Sequence, residues 1–181
     1  LGSINSTVRT AEQSEIAKFW LESTPQSMTR IAAIVAEARN FNAWDQARLF
    51  ALLHLAEADA YTVAMETKYH YKFWRPITAI RAADNDGNPN TVGDPSWTPF
   101  DPVTPPIPDY TSGHAVGAGA GQAVMQSVFG ATISPFSYSS TSLPGVSRRY
   151  TSIVKVTEEI GYSRIYVGYH FRSAPEVGRE Q

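Results

Sequence analysis

Over the first 80 residues of this chain, apolar side chains recur every three or four positions, and stretches in which apolar and polar residues alternate are scarce. A period near 3.6 residues turns one stripe of a helix toward a core, whereas a half-buried strand needs a period of two. The pattern reads as a mostly helical protein of the all-α class with its core between the stripes. Ser14–Leu21 puts Ile16, Phe19 and Trp20 on one face, and a second helix starts near Pro25 with Met28, Ile31, Ile34 and Val35 as its stripe. The third and longest helix runs from Asn42 or Trp44 through Leu49, Leu52, Leu53, Leu55, Ala56, Ala60 and Val63 to about Lys68. Pro76 predicts that any helix there breaks or restarts.

From Asp84 to Tyr110 the sequence holds seven prolines and two glycines, which predicts a long ordered loop. Loops of that length inside compact domains are commonly functional. A helix opens at Ser112 and carries Gly113, Gly117, Gly119 and Gly121, so packing rather than intrinsic propensity has to hold it. Ser134–Ser147 reads as a Ser-rich loop and Tyr150–Phe171 as the last helical segment. Residues 1–181 read as a single domain without repeats, and the opening Leu1–Ser6 reads as a mid-protein segment or a processed end, so the chain is expected to be a fragment of a longer one.

Composition narrows the chemistry. With 15 basic and 17 acidic residues the net charge is −2, so no global field draws in nucleic acid or an anionic membrane surface. Any anion site must be local. The absence of cysteine excludes disulfides, thiolate zinc sites and a cysteine nucleophile. No run reaches the roughly 18 apolar residues of a membrane span.

Three segments concentrate groups suited to an anion. Lys68-Tyr69-His70-Tyr71-Lys72-Phe73-Trp74-Arg75-Pro76 sets two cations seven residues apart, on one face if the helix continues. Pro108-Asp109-Tyr110-Thr111-Ser112-Gly113-His114 offers a hydroxyl, an unobstructed backbone N–H and an imidazole at a helix start, the positive end of the helix dipole. Ser163-Arg164-Ile165-Tyr166-Val167-Gly168-Tyr169-His170 adds a planar guanidinium and a second imidazole. Singly, each has a plainer structural reading: a solvated helix face, a capped helix start, a core histidine.

Together they form the order K-x6-R-P, S-G-H, S-R-x5-H, which resembles the signature of the vanadium-dependent haloperoxidases and the type 2 phosphatidic-acid phosphatases. The flanking text KYHYKFWRPITAIR and EEIGYSRIYVGYHFRSA looks like their soluble bacterial haloperoxidase-like branch. The resemblance implies the shared helical-bundle fold and a pocket in which Lys68, Arg75, Ser112, Gly113 and Arg164 hold the oxygens of a tetrahedral oxyanion, with His170 and His114 at opposite apices. In a haloperoxidase vanadate would be the cofactor, His170 its metal ligand, and hydrogen peroxide and a halide the small-molecule substrates. In a phosphatase no cofactor is needed: His170 would attack a phosphoester and His114 would protonate the leaving oxygen. A third reading is a binding module that keeps the pocket's outline without activity.

The chain departs from the family pattern at Thr111, where proline usually precedes Ser-Gly-His, and after His170, where an orienting acid is missing and Glu176 is the nearest substitute. Other motifs read as structural. Asp84–Asn90 has glycine at position 4 and Pro95 at position 12, unlike a calcium loop, and reads as a polar turn. His54 with Glu57 reads as a hydrogen-bonded pair rather than a zinc site, His70 as exposed or structural, Tyr166 and Tyr169 as core.

Overall fold

The structure is a computed structural model that describes residues 1–181. It is helical, with α1 Ala11–Phe19, α2 Thr24–Ala38, α3 Ala43–Tyr71, α4 Pro76–Arg81, α5 Gly113–Phe129, α6 Ile153–Tyr166 and α7 Ser173–Glu180. A two-stranded antiparallel sheet, β1 Phe136–Ser139 and β2 Ser147–Tyr150, sits between α5 and α6. No helix is long and apolar enough to cross a membrane.

Local chemistry sets the helix starts. Thr10 and Gln13 form a capping box that opens α1 three residues before the expected start at Ser14. Asn42 Oδ1 accepts from the backbone N–H groups of Trp44 and Asp45 at the head of α3, and Pro25 lies in the first turn of α2. The restart expected at Pro76 is real: proline opens α4.

α5 is the axis of the fold, packed against α2, α3, α6 and α7. Its glycines allow that crowding. A methyl group on Gly117 would lie 2.8 Å from the Tyr61 hydroxyl, and one on Gly121 2.7 Å from Met28 Cε. At Gly119 it would collide with the backbone carbonyl of Arg179 in α7. The main core lies between these helices, α1 and the hairpin, with Phe19, Trp20, Met28, Ile31, Leu49, Leu53, Met125 and Ile160 all essentially inaccessible. By contrast α3 buries only the stripe of Leu49, Leu53, Glu57, Ala64 and Lys68, and exposes Trp44, Leu55, Val63 and Tyr69 on its other faces.

The end of the chain differs from expectation. The Ser-rich loop contains the hairpin, in register Phe136↔Tyr150 and Tyr138↔Arg148. Alternation decides it: Phe136 and Tyr138 point into the core while Ser137 and Ser139 face outward. Trp20 stacks on Tyr138 with ring centroids 5.7 Å apart. Arg148 ties β2 to the helices through ion pairs to Glu15 at 2.7 Å and Glu159 at 2.8 Å. The last expected helix is shorter, Ile153–Tyr166, because Tyr150 belongs to β2 and Gly168 turns the chain at φ 87°. An unforeseen helix, α7, then packs back on α5, where Ala174 O accepts from Ser112 N at 2.9 Å.

Between α4 and α5 the proline-rich stretch is loop apart from one 3-10 turn at Ala83–Asn85. Its acidic residues bind their own chain: Asp86 accepts from Asn88 N and the Thr91 hydroxyl, and Asp84 from Gly93 N. Because Gly119 faces a backbone carbonyl rather than a movable side chain, Gly119→Val should cost about 1–3 kcal/mol of stability by forcing α7 off α5. Urea unfolding of the variant against the parent chain measures this.

Candidate active site

The three segments singled out in the sequence meet where the C-terminal ends of α3 and α6 adjoin the N-terminal end of α5. Lys68 lies in the last turn of α3, Arg75 is the residue before α4, Ser112 precedes α5, Gly113 and His114 begin it, and Arg164 lies in the last turn of α6. His170 follows the turn at Gly168. Lys68, Arg75, Ser112, Arg164 and His170 are all buried, and His114 keeps a partly exposed edge.

The seven-residue spacing does not work as expected. Lys72 adopts a left-handed conformation, φ 47°, that ends α3, so Lys68 and Arg75 share no helix face. The proline-rich loop brings them together instead. Lys68 Nζ donates to the carbonyls of Pro108 at 2.7 Å and Asp109 at 2.9 Å, and Arg75 donates to Ile107 O at 2.8 Å and Tyr169 O at 2.9 Å. Arg164 is held by Ser163 Oγ at 2.9 Å and Trp20 O at 2.5 Å. Carbonyl dipoles thus carry much of the solvation that buried cations would otherwise lack.

Ser112 stands where a capping residue would, yet its side chain makes no capping bond, and its buried Oγ has no hydrogen-bond partner. A buried hydroxyl without a partner at a helix N-terminus is a donor available to an anion. Next to it Gly113 contributes a first-turn N–H with no side chain in front of it.

The two imidazoles have assignable tautomers. Arg75 Nη1 lies 3.0 Å from His170 Nε2, and a guanidinium can only donate, so Nε2 carries the lone pair. The ring proton then sits on Nδ1, 2.7 Å from Asp109 Oδ1, a close approach without the alignment of a full hydrogen bond. His114 Nε2 lies 3.2 Å from Glu22 O, which can only accept, so its proton is on Nε2 and Nδ1 is the acceptor.

Asp109 is therefore the acid that the flank of His170 lacks. Glu176 does not fill the role: it pairs with Arg172 at 3.5 Å on the exposed side of α7. The sequence signal for Asp109 was its place three residues before Ser112, but only the fold of the loop shows that it meets a histidine 61 positions later. Glu22 was also unforeseen. Its carboxylate accepts from Ser27 at 2.8 Å, from the Thr141 hydroxyl at 2.6 Å and from Tyr138, which fixes the α1–α2 corner that faces His114.

Electrostatically the site is a buried excess of positive charge. Burial, and then the neighbouring Arg75, pushes Lys68 down to about 8, with Asp109 opposing; burial takes Arg164 to about 10. Asp109 is pushed up to about 7 by burial against the pull of Arg75 and Lys68. Both histidines lie well below the ordinary imidazole value, first through burial and then through the surrounding cations, so both are neutral near pH 7. The pocket offers ammonium, guanidinium, hydroxyl and N–H donors, a set that fits a tetrahedral oxyanion such as phosphate or vanadate and would repel a free metal cation. His54 and Glu57, 3.4 Å apart, lie outside this set, as does the exposed His70. Tyr169 is buried and Tyr166 packs against the core.

Sulfate, dianionic throughout, should lose affinity as pH rises through 7 and 8. Asp109 then gains its charge and Lys68 loses its own, both against the anion. Calorimetric titration from pH 6 to 9.5 checks this, and Lys68→Met should remove the part of the decline above pH 8.

The family model of the VCPO second helical-bundle domain matches residues 48–181. Vanadium chloroperoxidase of Curvularia inaequalis is 28% identical over 215 aligned residues, which take in 97% of this chain and 35% of that protein. The crystal structure of the first bacterial vanadium-dependent iodoperoxidase superposes with a TM-score of 0.81 at 32% identity, over 94% of this chain and 41% of that one. The holo-type bacterial vanadium-dependent chloroperoxidase shares the fold at a TM-score of 0.73 and 19% identity, over 98% of this chain and 42% of that one. The chain spans between a third and a half of the length of these relatives. The match to the family model over most of the chain, together with the helical bundle, makes it a member of the VCPO second helical-bundle domain family.

Proposed function

We propose that residues 1–181 form an oxyanion-binding catalytic domain that holds vanadate and carries out peroxide-driven oxidation of a halide. The observation that carries this reading is His170 Nε2, a lone pair fixed by the proton on Nδ1 beside Asp109 and set within three buried cations. The names of the relatives, chloroperoxidases and an iodoperoxidase, point the same way.

In this reading Lys68, Arg75 and Arg164 neutralise the oxyanion's charge, and Ser112 Oγ and Gly113 N–H donate to its oxygens. His170 Nε2 would be the protein's ligand to vanadium, and Asp109 keeps that nitrogen deprotonated by holding the proton on the other side of the ring. Bound vanadate would supply a Lewis-acidic centre that activates hydrogen peroxide toward halide. His114, neutral and with Nδ1 free to accept, takes up and returns protons at the far side of the pocket. Arg75 must turn from Nε2 toward the anion for His170 to ligate it, and a bound oxyanion supplies the attraction for that movement.

A paired assay on one preparation tests the proposal. Bromination or iodination that depends on both vanadate and peroxide, with negligible hydrolysis of an aryl phosphate, is the expected result. Phosphate release inhibited by vanadate, without halogenation, would make the domain a histidine phosphatase, and silence in both assays with intact sulfate binding would make it a binding module. His170→Ala should abolish turnover with an unchanged far-UV circular dichroism spectrum; full activity in that variant sinks the mechanism. Asp109→Asn should lower vanadate affinity or turnover by about 10–100-fold. Arg164→Lys, which gives up the planar fork, should weaken oxyanion binding by about 10–100-fold in the same titration.

A further inference from the structure

Beside the oxyanion pocket, the corner between α3 and α4 and the proline-rich loop enclose an open groove of about 500 Å³. Its walls are made by Phe73, Trp74 and four prolines of the 102–108 stretch, and Arg75 forms part of it. Phe73 and Trp74 are 46% and 38% exposed, so two large aromatic side chains in the groove wall keep surface uncovered. Aromatic side chains with an uncovered face offer a surface on which a flat ring can stack.

The polar side chains lining the groove are two cations, Lys72 and Arg75, and two hydroxyls, Thr78 and Thr104. Lys72 is exposed and takes part in none of the chain's ion pairs. The hydroxyl oxygen of Thr104 is buried and has no hydrogen-bond partner. No carboxylate lines the groove. The volume suits a ligand of one or two rings.

We propose that this groove binds a planar aromatic anion, its ring against Trp74 and Phe73 and its charged end at Lys72 and the Thr104 hydroxyl. A neutral apolar molecule would leave the cation and the hydroxyl unused, and a cationic one would be repelled by Lys72 and Arg75. The prolines give a rigid floor that loses little entropy when a flat ring settles on it. The groove also communicates with the pocket. Arg75 spans the two and reaches His170 Nε2 at 3.0 Å, and the ring of Phe73 meets that of Phe171, the residue after His170, edge-on at 5.9 Å between centroids. As the place where an organic acceptor would wait beside a halide-oxidising centre, the groove rests on the function proposed above; as a binding site it does not.

Calorimetric titration of the chain with 2-naphthoate tests the proposal, with cyclohexanecarboxylate as the non-planar anion and 2-naphthylmethanol as the uncharged aromatic. Naphthoate should bind more tightly than either, and Trp74→Leu, Lys72→Met and Thr104→Val should each weaken it by about 2- to 10-fold. All three positions lie in the groove wall, and an unchanged thermal transition certifies the fold of each variant. Saturating sulfate should leave naphthoate binding in place, because the oxyanion pocket is a separate site. Equal affinity for cyclohexanecarboxylate, indifference to Trp74→Leu, or competitive displacement by sulfate would each overturn the proposal. These readouts are independent of turnover, so a chain that fails to halogenate can still bind naphthoate, and one that halogenates can fail to.

Discussion

Three cations are buried together in this domain, and much of the architecture around them answers the cost of putting them there. Lys68 and Arg75 face one close carboxylate, Asp109, and Arg164 feels the charge of Asp101. Isolated charges in a protein interior cost several kcal/mol each unless dipoles or counter-charges replace water. Here the dipoles are backbone carbonyls. Two come from the proline-rich stretch to Lys68, one from it to Arg75, and others from Tyr169 and Trp20. One of them belongs to Pro108, which presents a carbonyl without a competing N–H.

The same charge excess governs the histidines. An imidazole surrounded by cations stays neutral, which leaves each ring with one nitrogen able to accept or ligate. Which nitrogen that is follows from the partner on the other side: Arg75 and Asp109 for His170, and the carbonyl of Glu22 for His114. The network behind Glu22 therefore bears on the pocket, since Ser27, Tyr138 and Thr141 hold the corner from which its carbonyl projects.

Much of this arrangement was legible in the chain. Periodicity located the helices up to Tyr71, and the three motifs named the pocket's cations, Ser112, Gly113 and both histidines. What escaped was set by contacts distant in sequence. Phe136 and Tyr138 alternate for only four residues inside a run of serines, too short to outweigh composition, and the strand exists because Trp20 offers a surface for Tyr138. The helix Ser173–Glu180 is short and contains Pro175 and Gly178, so its propensity is poor and its packing on α5 sustains it. Asp109 could be read as an acid in a loop but not as a partner of His170, because a loop's path depends on which cations its carbonyls wrap. The spacing of Lys68 and Arg75 misled for the converse reason. It suits a helix, and the helix stops at Tyr71.

The glycine-rich make-up of α5 bears on the order in which the domain folds. A helix with four glycines in its first nine residues has little tendency to form in isolation. It gains its shape from α2, α3, α6 and α7 closing around it, where Tyr61, Met28 and the Arg179 carbonyl occupy the space that side chains would have taken. The turn carrying Ser112, Gly113 and His114 is the beginning of that helix, so the candidate anion cradle is complete only once its neighbours have docked. An oxyanion that binds the finished cradle therefore favours the last step of assembly, and the ligand becomes a reporter of complete folding as much as of chemistry.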